Sequence, residues 1–146
     1  MYKNILVAYD GSILSWKAIE AAKFQASLNE EAEVHIITVL EAEDAENEAE
    51  REKITQELEA KFLPQMKKIE EEFKKNNIEA TMEIVVSEEN INPGVEIAKY
   101  AKDHNNDLIV MGSRGLGNSD EIILGSVSNE VVQKAKCPVL VIKEKK

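Results

Sequence analysis

The stretch Gly112-Ser-Arg-Gly-Leu-Gly-Asn-Ser-Asp-Glu-Ile-Ile-Leu-Gly-Ser-Val-Ser128 decides the fold and points to a ligand. The apolar run Leu108-Ile-Val-Met111 ends at its first glycine, and a fourth glycine, Gly125, precedes an amphipathic segment. Glycines let main-chain N–H groups lie close against a ligand. Ser126 is predicted to cap the following helix, whose free N–H groups and positive dipole end attract anions. The pattern therefore favours holding phosphate with main-chain donors and hydroxyls.

This glycine pattern differs from two better-known phosphate loops. Gly112 and Gly117 have Walker A spacing, but Asn118 stands where that motif places its lysine. The order Gly-x-x-Gly-x-Gly is also not a dinucleotide fingerprint, since only Gly11 follows the first predicted strand. The plainer alternative is a strand-to-helix connection in which the glycines only turn the chain. The Gly125-Ser-Val-Ser start of the helix favours ligand binding over that alternative.

Composition limits the classes of partner. The 146 residues contain 18 Lys and Arg against 28 Asp and Glu, so the net charge is −10. Such a charge argues against binding to nucleic acid or to an anionic membrane. No apolar run approaches the roughly 20 residues of a membrane span, and residues 1–5 lead directly into a strand pattern without a signal peptide. Cys137 is the one cysteine of the sequence, which fits a reducing compartment. A cytoplasmic location is therefore expected.

Alternating apolar segments predict an α/β fold. Near-continuous Val, Ile and Leu runs are typical of parallel strands covered on both faces. Helical patterns separate them, and we expect right-handed crossovers and one doubly wound domain over residues 1–146. Asn92 and Pro93 form a clear helix start, whereas Pro64 is expected to break or kink the long acidic second helix. The predicted strands are about 3–9, 33–39, 80–86, 107–111 and 138–142. The predicted helices are about 13–28, 44–76 and 126–136, together with the one that opens at Pro93 and that Asn105-Asn106 can end.

The chain resembles a known family along nearly its whole length. The spacing Gly112-x2-Gly115-x9-Gly125-Ser126 is similar to the nucleotide-binding signature of the universal stress protein family, in its ATP-binding branch. Lys3-Asn-Ile-Leu-Val-Ala-Tyr-Asp-Gly-Ser12 resembles the opening strand and turn of that family. Asn106-Asp-Leu-Ile-Val-Met-Gly112 and Cys137-Pro-Val-Leu-Val-Ile142 resemble its fourth and last strands. The resemblance is weakest across residues 41–92.

The resemblance implies a fold, a ligand and a state of assembly. It implies a five-stranded parallel sheet in the order 3-2-1-4-5, with helices on both faces. In that order the chain reverses between the first and fourth strands, and ligands bind beyond the carboxyl ends at such reversals. Asp10 and Gly112 would then face one crevice. The implied protein is a cytosolic ATP-binding regulatory module that forms a homodimer through the final strand, 138–142, and responds to stress through an unnamed protein partner.

The resemblance also assigns roles to individual residues. Asp10 and Val39 would border the base and ribose of an adenine nucleotide, with the Val39 main chain bonding adenine. The remaining residues would hold the ribose and the phosphates. For the ribose and first phosphates these are Gly112, Arg114 and Gly115, and for the outer phosphates Gly125, Ser126, Val127 and Ser128. The plainer alternatives are a turn role for Asp10, a core role for Val39 and an ordinary exposed charge for Arg114.

Two other classes of function stay open beside the regulatory module. One is an interaction protein in which the acidic 41–76 region matters and the cleft is vestigial. The other is an enzyme of the same α/β architecture that cleaves nucleotides or transfers an adenylyl group, with slow ATP hydrolysis as the activity left open. Against catalysis, neither His35 nor His104 pairs with a nucleophile in the sequence, and the P-loop lysine is missing. Ile91, where relatives usually have glycine, predicts a differently shaped cleft on that side.

The acidic pair Asp120-Glu121 yields the first prediction. Two carboxylates near a triphosphate repel it unless a divalent cation intervenes. We therefore expect ATP affinity to rise steeply with added Mg²⁺ or Mn²⁺, and the double variant D120N/E121Q to show a weaker metal dependence and better metal-free binding. Titrations with and without chelator measure both effects. Equal affinities in the unmodified protein would mean that the carboxylates point away from the phosphates.

Overall fold

The computed structural model describes residues 1–41, 46–87, 90–114 and 124–143. Strands and helices alternate along the chain, as the apolar pattern predicts. In chain order they are β1 (Asn4–Ala8), α1 (Ile13–Ser27), β2 (Glu33–Glu41), α2 (Glu48–Lys75), β3 (Glu79–Ser87), α3 (Pro93–Asp103), β4 (Leu108–Gly112), α4 (Ser126–Lys134) and β5 (Val139–Ile142).

The sheet has the predicted doubly wound topology. Its five strands are parallel and lie in the order β3-β2-β1-β4-β5. Ile5 pairs with Val34 of β2 on one side and with Leu108 of β4 on the other. The α/β fold class and the strand order 3-2-1-4-5 are thus confirmed, and the chain reverses between β1 and β4.

Helices cover both faces of the sheet, and each face has its own apolar core. One cluster joins β1 and β2 to α1 and α2, with Ala18 and Phe62 among its members. The other joins the strands to α3 and α4 through Ile97 and Val131. The middle of β1 is fully buried between these two layers, which explains its unbroken apolar sequence.

The long helix α2 differs from the prediction at Pro64. It continues through that proline as one helix, so the predicted break is wrong. Proline removes the hydrogen bond to the carbonyl four residues earlier, here that of Ala60. Both Pro64 and Ala60 belong to the exposed side of the helix, where water can satisfy the carbonyl that is left over. The helix also begins at Glu48 rather than near residue 44, and residues 42–45 lie outside the described part of the chain.

Of the two helix caps predicted from the sequence, Asn92 is found and Ser126 is not. Ser12 caps α1 by accepting from the Ser15 N–H, and Asn92 caps α3 by accepting from the Gly94 N–H. The predicted capping role of Ser126 is wrong, because Gly125 occupies the cap position and Ser126 is the first helical residue. No capping side chain is seen on α4 among the described residues.

No helix in the described parts of the chain is both long and apolar enough to cross a membrane.

A cluster of rings packs between α3 and the early part of β2. Tyr100 stacks on His104 with 3.8 Å between ring centroids, and His35 lies 6.0 Å from His104. Burial, with a hydrogen bond to Glu83, raises the pKa of Tyr100 to about 12. Burial, and then the neighbouring His104, lowers the pKa of His35, although Glu83 and Glu33 oppose that shift. The two histidines thus pack with Tyr100 in an aromatic cluster outside the residues that line the cleft.

The lowered pKa of His35 predicts acid sensitivity. As the pH falls below the ordinary histidine value of 6.5, the unfolded chain takes up a proton that the folded protein still refuses, so the free energy of unfolding decreases. We expect His35→Gln to reduce this decrease in urea denaturation between about pH 5 and 8. His104→Gln is the control. It leaves His35 buried, and burial is the larger cause of the lowered pKa of His35, so the pH dependence should remain. An unchanged pH profile in His35→Gln would contradict the assignment.

Candidate functional site

A cleft of about 330 Å³ opens at the carboxyl edge of the sheet, where β1 and β4 end. It brings together nearly all the residues that the sequence predicts for a binding site. Of that set, Gly115 lies outside the described residues, as do Asp120 and Glu121. The predicted residues that line the cleft are Asp10, Val39, Gly112, Arg114, Gly125, Ser126, Val127 and Ser128.

The turn after β1 is built from short polar side chains. The Asp10 carboxylate accepts from the Ser12 N–H at 2.9 Å, and Gly11 has a φ of +88°. The Ser15 hydroxyl donates to the Ser12 carbonyl at 2.9 Å. Asp10 therefore shapes the turn and also lines the cleft. Ser12 and Ser15 also line the cleft; sequence reasoning missed both, although Ser12 stands in the quoted Asp-Gly-Ser turn.

Val39 lies in the part of β2 that extends beyond the end of β1. The last contact between these strands is the Tyr9 N–H bond to the Ile37 carbonyl, at 2.9 Å. Alternate residues of a parallel strand direct their main-chain groups to the same neighbour. The N–H and C=O of Val39 therefore point toward the neighbouring position in the sheet. β1 does not extend to that position, because the chain turns away at Asp10–Gly11. Its side chain packs against the apolar cluster of α3 and α4, so a core role and a main-chain binding role are compatible.

Ser113 joins three elements at the bottom of the cleft. Its N–H donates to the Ile142 carbonyl of β5 at 2.7 Å. Its carbonyl accepts from the Gly125 N–H at 2.6 Å and from the Ser128 hydroxyl at 2.7 Å. Sequence reasoning missed Ser113, because a serine inside a glycine loop has no local signal that marks it as buried. The start of α4 is thus fixed directly to the end of β4.

Three helices begin at this cleft. Their first turns contribute Ser12, Pro93 and the residues from Gly125 to Ser128 to its lining. Ser12 and Asn92 satisfy N–H groups of α1 and α3, whereas α4 begins without a capping side chain among the described residues and without an acidic residue in its first turn. Free N–H groups and the helix dipole make such a terminus favourable for an anion. Arg114 adds a cation to the same lining.

The described residues offer no ready metal centre. No group of three or more His, Cys, Asp or Glu side chains within them is placed to hold a metal ion. Asp10 contributes the one carboxylate among the described residues that line the cleft.

Comparison with known proteins agrees with this geometry. The sequence profile of the universal stress protein family matches residues 1–143. The chain belongs to the universal stress protein family. Universal stress protein YxiE of Bacillus subtilis is 34% identical over 98% of this chain and 100% of its own length.

Solved structures extend the likeness to the whole fold. The structure of protein MJ0577, from Methanocaldococcus jannaschii, is 33% identical and superposes with a TM-score of 0.87, covering 100% of this chain and 99% of that one. A universal stress protein from Archaeoglobus fulgidus was solved in complex with dAMP. It is 24% identical, with a TM-score of 0.69 over 97% of this chain and 98% of that one, a likeness that concerns the fold.

Proposed function

We propose that this universal stress protein is a cytoplasmic ATP-binding regulatory module of the stress response. The observation that carries the proposal is the start of α4, which lines the cleft and has no capping side chain among the described residues. An anion is the ligand that such a helix terminus favours. The complex of a family member with dAMP gives an adenine nucleotide as a ligand compatible with this fold.

The adenine end of the proposed ligand lies at β2. The N–H and C=O of Val39 form a donor and an acceptor on one short stretch of main chain, which matches the donor and acceptor edge of adenine. Ile97 and Met111 provide apolar surface for a flat ring beside it. Asp10, at the end of β1, is placed to accept from the ribose hydroxyls.

The phosphates lie at α4 in this proposal. The N–H groups of Ser126, Val127 and Ser128 belong to the first turn, where helical N–H groups have no partner within the helix. Gly125 is buried and lacks a side chain that would keep phosphate away. Ser126 is an exposed residue, and in this proposal its hydroxyl donates to the outer phosphates. Gly112, Arg114 and Gly115 complete the proposed set around the ribose and the first phosphates.

The divalent cation belongs to the nucleotide in this proposal. Mg²⁺ is commonly held by phosphates, water and one or two carboxylates rather than by a cage of protein ligands. The described part of the chain lacks such a cage, which fits Mg²⁺ or Mn²⁺ arriving with ATP.

The cleft is equipped for binding more than for turnover. Its described lining contains no His, Cys or Lys side chain that could act as a base or nucleophile. The Asp10 carboxylate is engaged with the Ser12 N–H. We therefore propose that the protein acts by binding a protein partner in a way that depends on the bound nucleotide.

Loss of the Ser126 hydroxyl tests the phosphate site. A hydrogen bond to a charged group contributes roughly 1.5–3 kcal/mol, so Ser126→Ala should weaken ATP binding about tenfold or more. Asn129→Ala, an exposed change one turn further along α4, is the matched control and should leave affinity unchanged. Calorimetry with ATP, ADP and AMP measures both. If the unmodified protein binds none of the three at millimolar concentration with Mg²⁺ present, the nucleotide proposal fails.

Self-association is proposed through residues 138–142. β5 is the last strand of the sheet and pairs with β4 along one side, and its residues Val139 to Ile142 are all partly exposed. An unpaired apolar edge strand is an aggregation hazard that pairing with a second copy removes. A closed two-fold dimer follows from such pairing.

A proline at Val141 tests the dimer without breaking the sheet. The Pro138 carbonyl accepts from Ile109 of β4, and the Ile142 carbonyl accepts from Ser113, directly after β4. Alternation along β5 therefore directs the N–H of Val141 to the outer edge. Val141→Pro should therefore remove an edge donor, spare the β4 ladder and yield a monomer. Val141→Ala, which keeps the N–H, is the control and should stay dimeric. Sedimentation velocity at micromolar concentration measures the outcome, and a monomeric unmodified protein would overturn the dimer.

A further inference from the structure

The Ser128 hydroxyl has two carbonyl partners inside the protein. It donates toward the Ser113 carbonyl at 2.7 Å and toward the Gly125 carbonyl at 3.1 Å. A serine hydroxyl has a single proton to donate. Ser128 and Ser113 are each only 2% exposed, so that proton is enclosed with its acceptors. The neighbouring Ser126 differs, because it is the exposed first residue of the same helix.

We infer that Ser128 is a positioning residue whose hydroxyl ties the first turn of α4 to the end of β4 through the Ser113 carbonyl, and that this hydroxyl does not bind phosphate. The predicted effect on nucleotide affinity rests on the proposed function. The hydrogen bonds of Ser128 themselves are present in the protein without ligand. It divides the two serines of the Ser-Val-Ser segment between two tasks: Ser126 offers its hydroxyl to the ligand, and Ser128 offers only its main-chain N–H.

The tie matters because the Ser113 carbonyl is shared. It accepts from the Gly125 N–H as well as from Ser128, and the Ser113 N–H is bonded to Ile142 of β5. The start of α4 is thereby held against two strands before any ligand arrives. Groups that are already in place need not be ordered on binding, so the ordering entropy does not subtract from affinity.

A tie and a phosphate ligand differ in what happens to the protein without ligand. If Ser128 orders the start of α4, its loss loosens this turn in the ligand-free protein and weakens ADP and ATP, whose outer phosphates rely on the turn, by a similar factor. If its hydroxyl only bonds an outer phosphate, its loss weakens binding but leaves the turn of the ligand-free protein unchanged. Ser128→Ala leaves the Ser113 carbonyl with its Gly125 donor, so no buried acceptor is orphaned and the variant should fold.

The experiment compares Ser128→Ala with two matched variants. Ser126→Ala removes the other hydroxyl of the segment. Ser27→Ala removes the Ser27 hydroxyl bond to the Phe24 carbonyl, a contact of the same i to i−3 kind as that of Ser128 with Gly125 but in α1 and outside the cleft lining. Calorimetry with ATP, ADP and AMP gives affinities. Amide hydrogen exchange of Gly125, by nuclear magnetic resonance on the ligand-free protein, reports the tie directly.

We expect Ser128→Ala to lose affinity for ADP and ATP about two- to tenfold, the effect of one ordinary hydrogen bond, with nearly the same factor for both and a smaller effect on AMP, which lacks the outer phosphates. We also expect faster exchange of the Gly125 amide in that variant alone. A loss of ADP or ATP affinity with unchanged Gly125 exchange would overturn the inference and make Ser128 a phosphate ligand. Should the unmodified protein bind no nucleotide, the nucleotide function fails, while the exchange data still decide whether the tie exists.

Discussion

The pairing of β1 with β4 is the constraint on which the rest of the structure depends. These strands lie side by side at the centre of the sheet, with Val7 opposite Val110. Because both are parallel, their carboxyl ends reach the same edge, although about a hundred residues separate them. The chain then leaves β1 toward one face and β4 toward the other, so a gap opens between Asp10 and Gly112. The site is thus a consequence of topology before any side chain is considered.

Close backbone contacts hold the walls of that gap. A Cβ atom on Gly112 would lie 2.8 Å from the Cβ of Leu14, so the first turn of α1 rests directly on the end of β4. A Cβ atom on Gly94 would lie 2.6 Å from the Val127 carbonyl, which shows how tightly the starts of α3 and α4 meet. The Asn92 amide adds a bond to the Ser126 carbonyl. The walls are therefore set by packing within the protein itself.

The sequence predicted correctly those features that depend on residues near one another in the chain. Asn92 is a helix cap in sequence and in structure, since capping depends on residues within one turn. The predicted break at Pro64 is wrong because the tolerance of a helix for proline depends on whether the unpaired carbonyl faces water. The cap of α4 was misplaced by one residue, and Ser113 was missed altogether, because its role exists only once β4, β5 and α4 have come together.

Overall charge and local charge act in opposite directions at this cleft. A protein of net charge −10 repels a nucleotide at long range, although physiological salt screens that repulsion beyond about 8 Å. Within the cleft, the described lining provides Arg114 and the uncapped start of α4 against the single carboxylate of Asp10. Attraction for an anion is therefore confined to hydrogen-bonding distance. For the proposed nucleotide ligand, the geometry of the first turn of α4, more than electrostatic steering, would then carry both the affinity and the discrimination between nucleotides.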